Sequence, residues 1–243
     1  LLSIRLPNNY RVYSRDSLSQ FEQLDFLFCN SDTNESDYIP LRRFKSIELF
    51  AGGGGLALGL ENSGLECLAL NELDKWSCQT LRQNRPDWNV LEGDIKNFVF
   101  KDYEGKVDLV TGGFPCQAFS YAGKKLGFKD ARGTLFYEFA RVVNETRPAI
   151  CLGENVRGLF NHDGGRTLKG MINVLTEIGY RVIEPKVLKA INYKVPQKRE
   201  RLFLVGLRND LDLEFEYPSP DKRIYSLKDA LKKGKLYPKD VPA

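Results

Sequence analysis

Histidine is nearly absent from this sequence: His162 is the single one among 243 residues. Catalysis built on imidazole is therefore a poor starting point. Long apolar runs are absent too, none reaching the ~18 residues that cross a bilayer. The opening LLSIRLPNNYRVYSR has no basic stretch followed by an apolar one, so a secretory leader is not expected there. Cysteine is sparse. The five, at 29, 67, 78, 116 and 151, are odd in number and widely spaced, with no C-x-x-C pair, which argues against a disulfide framework or a zinc site. No metal is expected, and a reduced protein with one special thiol is left open. An excess of one charge is missing as well: 36 Lys+Arg against 32 Asp+Glu leave only +4, which permits nucleic-acid binding without arguing for it. Apolar material is plentiful. At 42% hydrophobic, the chain is no disordered tail and can bury a sizeable core.

Residues 1–44 are polar, carry Asn-Ser-Asp-Thr-Asn-Glu-Ser-Asp at 30–37, and show little periodicity. They read as an N-terminal extension packed on the main domain, with Phe21, Leu24, Phe26 and Leu27 offering one short amphipathic element. From Lys45 the pattern changes. Apolar strands at 46–50, 67–70, 107–110, 149–152 and 201–207 alternate with helices that begin at Leu56 and Lys75. Further helical spacing runs through Leu135, Phe136, Phe139, Val142 and Val143, then through Leu168, Ile172, Leu175 and Ile178. Continuous apolar strands alternating with helices predict an α/β fold, a Rossmann-like, doubly wound, mostly parallel sheet covered on both faces. The domain is expected over 45–211. Residues 212–243 form a charged C-terminal segment with four prolines and at most one short helix, near 226–233.

Phe50-Ala51-Gly52-Gly53-Gly54-Gly55 joins the first strand to the first helix, where an open parallel sheet binds ligands. Glycines there let a ligand approach the backbone closely. Glu72 lies 20 residues beyond Gly52, after the second strand, where a carboxylate can accept hydrogen bonds from ribose hydroxyls. Loop and acid together point to a nucleoside-containing cofactor. Gly93-Asp94-Ile95 follows a third apolar stretch, and an acid followed by an apolar residue suits an adenine edge.

Gly113-Phe114-Pro115-Cys116-Gln117 follows the strand at 107–110, which puts Cys116 at the same sheet edge as the glycine loop. Cys67 and Cys151 lie inside strands and read as small core residues. Gly153-Glu154-Asn155-Val156 is placed after the next strand, so Glu154 is expected in the same cleft. A thiol beside a carboxylic acid suits addition to an electron-poor ring. Arg199 and Arg201, two apart before another strand, would share one face of extended chain.

These stretches, with Asn71-Glu72-Leu73-Asp74, Asp130-Ala131-Arg132-Gly133-Thr134-Leu135-Phe136 and Gln197-Lys198-Arg199-Glu200-Arg201, occur in an order that resembles the catalytic region of DNA (cytosine-5) methyltransferases, over about 45–211. The resemblance implies a methyltransferase fold that uses S-adenosylmethionine and releases S-adenosylhomocysteine. It implies a cofactor pocket lined by Phe50, Gly52, Gly54, Glu72, Leu73, Asp94 and Ile95. Cys116 would add to C6 of a cytosine flipped out of double-stranded DNA, so that C5 takes the methyl group. Glu154 would bond the N3 edge, Arg201 the ring O2, and Arg199 would place the thiol or a phosphate. Phe114 and Pro115 would hold the base by backbone contact and shape. Residues 117–134 resemble a loop that closes over DNA, with Gln117, Ser120, Lys124, Lys125 and Arg132 among the substrate contacts. A bacterial cytoplasmic enzyme of a restriction-modification system is implied.

One departure matters. The family normally continues with a target-recognition region and a Gly-Asn-(Ser or Ala)-Val element, and neither is found after Asn209. The chain is therefore expected to be the catalytic subunit of a two-chain enzyme, a heterodimer whose second polypeptide reads the DNA sequence, or a truncated form. An RNA cytosine-5 methyltransferase and a non-catalytic regulatory homologue stay open. A dehydrogenase is disfavoured by the lack of a hydride-transfer histidine.

Overall fold

The computed structural model describes residues 42–115 and 134–227, together with the backbone of 3–5 and 11–13. The chain divides into two compact units, one of residues 39–188 and 200–215, the other of 1–38, 189–199 and 216–243. In the latter, β1 (Ser3–Arg5) pairs antiparallel with β2 (Arg11–Tyr13). The expected amphipathic element near Phe21 lies outside the described residues. So does most of the helix expected near 226–233.

The larger unit is built on strands and helices that alternate. β3 (Lys45–Leu49) leads through the glycine loop to α1 (Gly55–Asn62). β4 (Glu66–Glu72) leads to α2 (Lys75–Asn84), which starts where the Asp74 carboxylate accepts the Ser77 N–H at 2.8 Å. β5 (Val90–Glu92) and β6 (Leu109–Gly112) follow. α3 (Leu135–Thr146) is capped by Thr134, whose hydroxyl accepts the Tyr137 N–H, and ends at Arg147 in the left-handed region. β7 (Ile150–Val156), α4 (Arg166–Glu177), β8 (Tyr180–Val182), β9 (Lys186–Lys189) and β10 (Glu200–Arg208) complete the series.

The strands lie in the order β5-β4-β3-β6-β7-β10-β8, with β9 also paired to β10. The first five are mutually parallel, and β10 runs antiparallel to both β7 and β8. Chain order reverses between β3 and β6. That switch point is where such a sheet opens a crevice at its carboxyl ends. Ile47, Val110 and Phe139 belong to the larger core, with α3 and α4 supplying Val142, Met171 and Val174. Ala57, Leu70 and Leu81 form a smaller cluster with Ala51 at α1 and α2. Among the described residues no helix is long and apolar enough to cross a membrane.

Two glycines let the sheet meet α3. Gly112 and Gly153 are cross-strand neighbours on β6 and β7. A Cβ on Gly112 would fall 2.8 Å from the Phe139 ring, and one on Gly153 would fall 3.1 Å from the Phe114 ring. Phe114 in turn stacks edge-on against Phe136, with centroids 5.1 Å apart. Gly112→Ala is expected to lower unfolding stability by about 1–3 kcal/mol through overpacking. Denaturant midpoints of the two proteins check this.

The sixth strand begins at Leu109, two residues later than expected, because its pairing with β3 starts at Ser46 and Leu109. Asp108 before it instead turns its carboxylate to Arg42 and to the Lys45 N–H. β7 runs four residues past its expected end at Leu152. Antiparallel pairing with Arg201, Leu202 and Phe203 carries it through Val156.

Candidate active site

The glycine loop is a tight turn, closed by Gly54 N–H donating to the Ala51 carbonyl at 2.9 Å. Gly52 (φ 54°) and Gly54 (φ 83°) stand in the left-handed region that favours glycine. A Cβ at Gly54 would also lie 2.6 Å from Leu81, while one at Gly52, Gly53 or Gly55 would meet nothing within 4 Å. The loop is thus packed from beneath and open above, a cradle in which a ligand can lie against backbone. Phe50 precedes it, half-buried and at φ 58°.

Glu72, the last residue of β4, holds this cradle in shape. One carboxylate oxygen accepts the Gly52 N–H at 2.7 Å, and the other accepts the Leu73 and Asp74 N–H groups at 2.8 Å each. A carboxylate has about four acceptor sites. The expected ribose acceptor is therefore also the tie between two loops. Leu73 beside it is 69% exposed, an apolar shelf at the sheet edge. Asn71, which sequence reasoning quoted without a role, is buried and donates to the Leu91 and Gly93 carbonyls. It locks the end of β4 to the turn that carries Asp94. The Asp94 carboxylate accepts the Lys96 N–H at 3.0 Å. Ile95 is 2% exposed and packed in the larger core.

A second cluster lies further along the same sheet edge. Glu154 stands within β7, not after it, and its carboxylate pairs with the Arg201 guanidinium at 2.9 Å. Because β10 is antiparallel, its first residues reach the edge where β7 ends, and Arg201 is the register partner of Val156. Both side chains keep partial solvent contact, 22% and 26%. The second Glu154 oxygen would sit 3.6 Å from a Cβ on Gly113. The acid therefore faces the strand exit that runs Gly113-Phe114-Pro115 toward Cys116. Asn155 fastens that exit. It is buried and donates to the Phe114 carbonyl at 2.8 Å, while its own carbonyl accepts the Val156 N–H. An uncharged amide inside an apolar strand was the signal for it. The Phe114 ring is 2% exposed in the aromatic core, so only its backbone can take part in holding a substrate.

β10 begins at Glu200, and Arg199 N–H closes a short turn on the Gln197 carbonyl. Arg201 thus lies within the strand and Arg199 one residue before it. Arg199 belongs to the unit of 189–199, Arg201 to the larger one. Cys116, Gln117, Ser120, Lys124, Lys125 and Arg132 lie outside the described residues. The described cysteines are not nucleophiles by their surroundings. Burial pushes the Cys67 and Cys151 thiols up to about 12, and Cys78 is raised by the same cause. His162 is held by a hydrogen-bonding contact to the Thr167 hydroxyl at 2.7 Å, a structural use of the imidazole.

The open glycine cradle, the Glu72 carboxylate and the exposed Leu73 fit the nucleoside part of S-adenosylmethionine, through close backbone approach, an acceptor for hydroxyls and an apolar face.

The family model for C-5 cytosine-specific DNA methylases matches residues 44–240. The Type II methyltransferase M.Eco47II of Escherichia coli is 57% identical over 237 residues, covering 97% of this chain and 57% of that protein. M.PspPI of Psychrobacter sp. (strain TA137) is 55% identical, with 97% and 58% covered. The chain thus spans just over half the length of the curated relatives it matches. A crystal structure of a prophage-encoded DNA modification methyltransferase of E. coli superposes with a TM-score of 0.63 at 27% identity, covering 78% of this chain and 55% of that one. A Spodoptera frugiperda DNMT2 structure shares the fold at a TM-score of 0.61 and 24% identity, with 77% and 59% covered. With its switch-point glycine loop, its edge acid and its Glu154–Arg201 pair, this chain belongs to the C-5 cytosine-specific DNA methylase family.

Proposed function

We propose that the chain is the catalytic part of a DNA cytosine-5 methyltransferase of a restriction-modification system, with residues 45–211 as its cofactor-binding catalytic domain. The observation that carries this reading is the Glu154–Arg201 pair beside the strand exit into Cys116, on the sheet edge that also holds the glycine loop. When bound, S-adenosylmethionine supplies an electrophilic methyl group. Phe50, Gly52, Gly54, Glu72, Leu73 and Asp94 would hold it, with Ile95 shaping the floor from the core.

Cys116 attacks C6 of a flipped-out cytosine. Its electron pair enters the ring, and C5 becomes nucleophilic. Glu154 carries the proton that N3 takes up, which keeps negative charge from building on the ring. Arg201 bonds O2 and, through its ion pair, holds the Glu154 carboxylate in place. Once C5 has been methylated, its proton passes to solvent, the C–H electrons re-form the C5–C6 double bond and expel the Cys116 thiolate, and N3 returns its proton to Glu154. Asn155 keeps Phe114 and the chain after it in register with β7. Lys124, Lys125 and Arg132 contact phosphate, which positions the DNA without reading it. Arg199 supports the same approach.

Sequence readout would come from protein outside these 243 residues. The sequence reading puts it on a second polypeptide, and the relatives carry their remaining length on one chain. The test is nucleoside analysis after incubation with S-adenosylmethionine and DNA, in the presence of that target-recognition part. Labelled 5-methyldeoxycytidine is the expected product. Label in RNA alone would replace the DNA reading by the RNA one, and label in neither would remove the enzyme reading.

Glu72→Ala is expected to weaken S-adenosylmethionine binding by about 1–3 kcal/mol, since a charged acceptor is lost and three backbone N–H groups are released. Calorimetry that found unchanged affinity would take Glu72 out of the pocket.

A further inference from the structure

α3 meets the turn that carries Asp94 through charged side chains, and none of the chemistry above uses them. Arg141 lies midway along the helix, with 19% of its side chain exposed. Its Nε pairs with Glu138, one turn back, and its Nη1 with Glu145, one turn on, both at 2.7 Å. The two carboxylates orient the planar guanidinium, and Nη2 donates to the Ile95 carbonyl at 3.0 Å. The second Glu145 oxygen accepts the Phe100 N–H at 2.9 Å. Two side chains of one helix thus grip the backbone from Ile95 to Phe100 at both ends. On the other side Gly93 is held by β4: its N–H donates to the Glu72 carbonyl, and its carbonyl accepts from Asn71. Asp94 stands between these two anchorages and caps a turn of only three residues, after a strand of only three. The Glu138 and Glu145 side chains are 9% and 23% exposed. Apolar residues in such surroundings would fasten a helix to a turn as well or better. What the charges add is direction, a fork aimed at one carbonyl.

We propose that Arg141 is a positioning residue for the cofactor: through the Ile95 carbonyl it sets where Asp94 stands, and with it the grip on the adenine amino group. The inference rests on the cofactor reading above, which assigns Asp94 to the adenine edge. The same helix packs Phe136 and Phe139 against Phe114, with ring centroids 5.1 and 5.5 Å apart. α3 therefore touches both the adenine-side turn and the strand exit toward Cys116, and fixes the first by reference to the second. The ribose end is held differently. Glu72 ties the glycine loop to the end of β4 by its own three hydrogen bonds, none of which involves α3. Loss of Arg141 thus loosens the adenine end and leaves the ribose end in place.

Calorimetry on the full chain tests this, comparing S-adenosylhomocysteine with its deamino analogue, in which hydrogen replaces the adenine amino group. The wild type is expected to prefer the adenine form by about tenfold, the scale of one hydrogen bond to a charged acceptor. Asp94→Ala and Arg141→Met should both reduce that preference, and the double variant should reduce it no further than Asp94→Ala alone. Glu138→Gln is the control. It weakens an ion pair of the same network but leaves the bond to Ile95, so it should melt lower and keep the preference. Arg141→Met leaves two carboxylates without a counter-ion, which endangers folding. The triple variant Glu138→Gln/Arg141→Met/Glu145→Gln has no such charge, keeps an acceptor for the Phe100 N–H, and should show the same loss. With the target-recognition part present, Arg141→Met should raise the KM for S-adenosylmethionine about tenfold and leave kcat within about twofold. A preference kept by Arg141→Met or the triple variant and lost by Asp94→Ala would overturn the proposal. So would a preference that Glu138→Gln loses in step with its melting temperature. A wild type without preference, or an Asp94→Ala variant with an unchanged one, would overturn the assignment of Asp94 to adenine, and the proposal with it. Failure of both ligands to bind the wild type would instead overturn the cofactor reading beneath both.

Discussion

Replacement of Cys116 by serine is expected to lower methyl transfer by more than about a thousandfold, the scale on which removal of a covalent nucleophile acts elsewhere. A serine hydroxyl is far less nucleophilic toward C6, and its alkoxide is inaccessible at neutral pH. The structure adds a reason why no other described thiol can substitute: Cys67, Cys78 and Cys151 are all raised by burial and stay protonated. Cofactor affinity should change little, because the glycine loop and Glu72 are held by β3 and β4 rather than by the strand that leads to Cys116. Single-turnover transfer, measured beside calorimetric binding, separates the two effects. Transfer within tenfold of wild type would remove the thiol from the mechanism.

Glu154→Gln is expected to cost about 10²–10⁴ in kcat/KM, the range for loss of a positioned proton donor. The glutamine keeps the size of the side chain but cannot carry a proton to N3. It also breaks the ion pair, leaving Arg201 with a neutral partner. Arg201→Leu separates these contributions. It leaves the acid in place without its guanidinium, and the loss should be smaller, about 10- to 150-fold for one charge-assisted hydrogen bond. Melting of both variants should stay near wild type, since both side chains keep solvent contact and a surface-type pair contributes little to stability. If Glu154→Gln transfers at the wild-type rate, the acid is structural only.

The parallel strands of the first half were legible because each is a short, continuous apolar run between turn residues, as Ile47 to Leu49 and Ala69 to Leu70 illustrate. The end of β7 was not. Its last residues, Glu154 to Val156, are polar or exposed and become strand only because β10 pairs with them from a position some fifty residues later. Such pairing leaves no trace in local composition. β8 and β9, three and four residues long and partly charged, had no signal of their own.

In the site, Glu72, Glu154 and Arg201 were legible as charges at strand ends. The residues that hold them were not. Asn71 and Asn155 are uncharged amides whose role is to bind backbone carbonyls of another segment, and only the fold shows which segment comes near. Glu48 reads in sequence as one polar residue in an apolar strand, and a charge there is ordinarily assigned to solvent. In the fold it is 3% exposed.

The central claim is that Cys116 bonds covalently to C6 of a cytosine in DNA at a site completed by Glu154 and Arg201. Its most direct test is mass spectrometry of tryptic peptides after the enzyme, with its target-recognition part, has met S-adenosylmethionine and duplex DNA carrying 5-fluorocytosine at the target. Fluorine cannot leave C5 as a cation, so elimination of the thiol stops. The account predicts a denaturant-stable adduct on the peptide from Val107 to Lys124, localised to Cys116 and absent from Cys116→Ser. An adduct that persists in Cys116→Ser, or that maps to another residue, would contradict it.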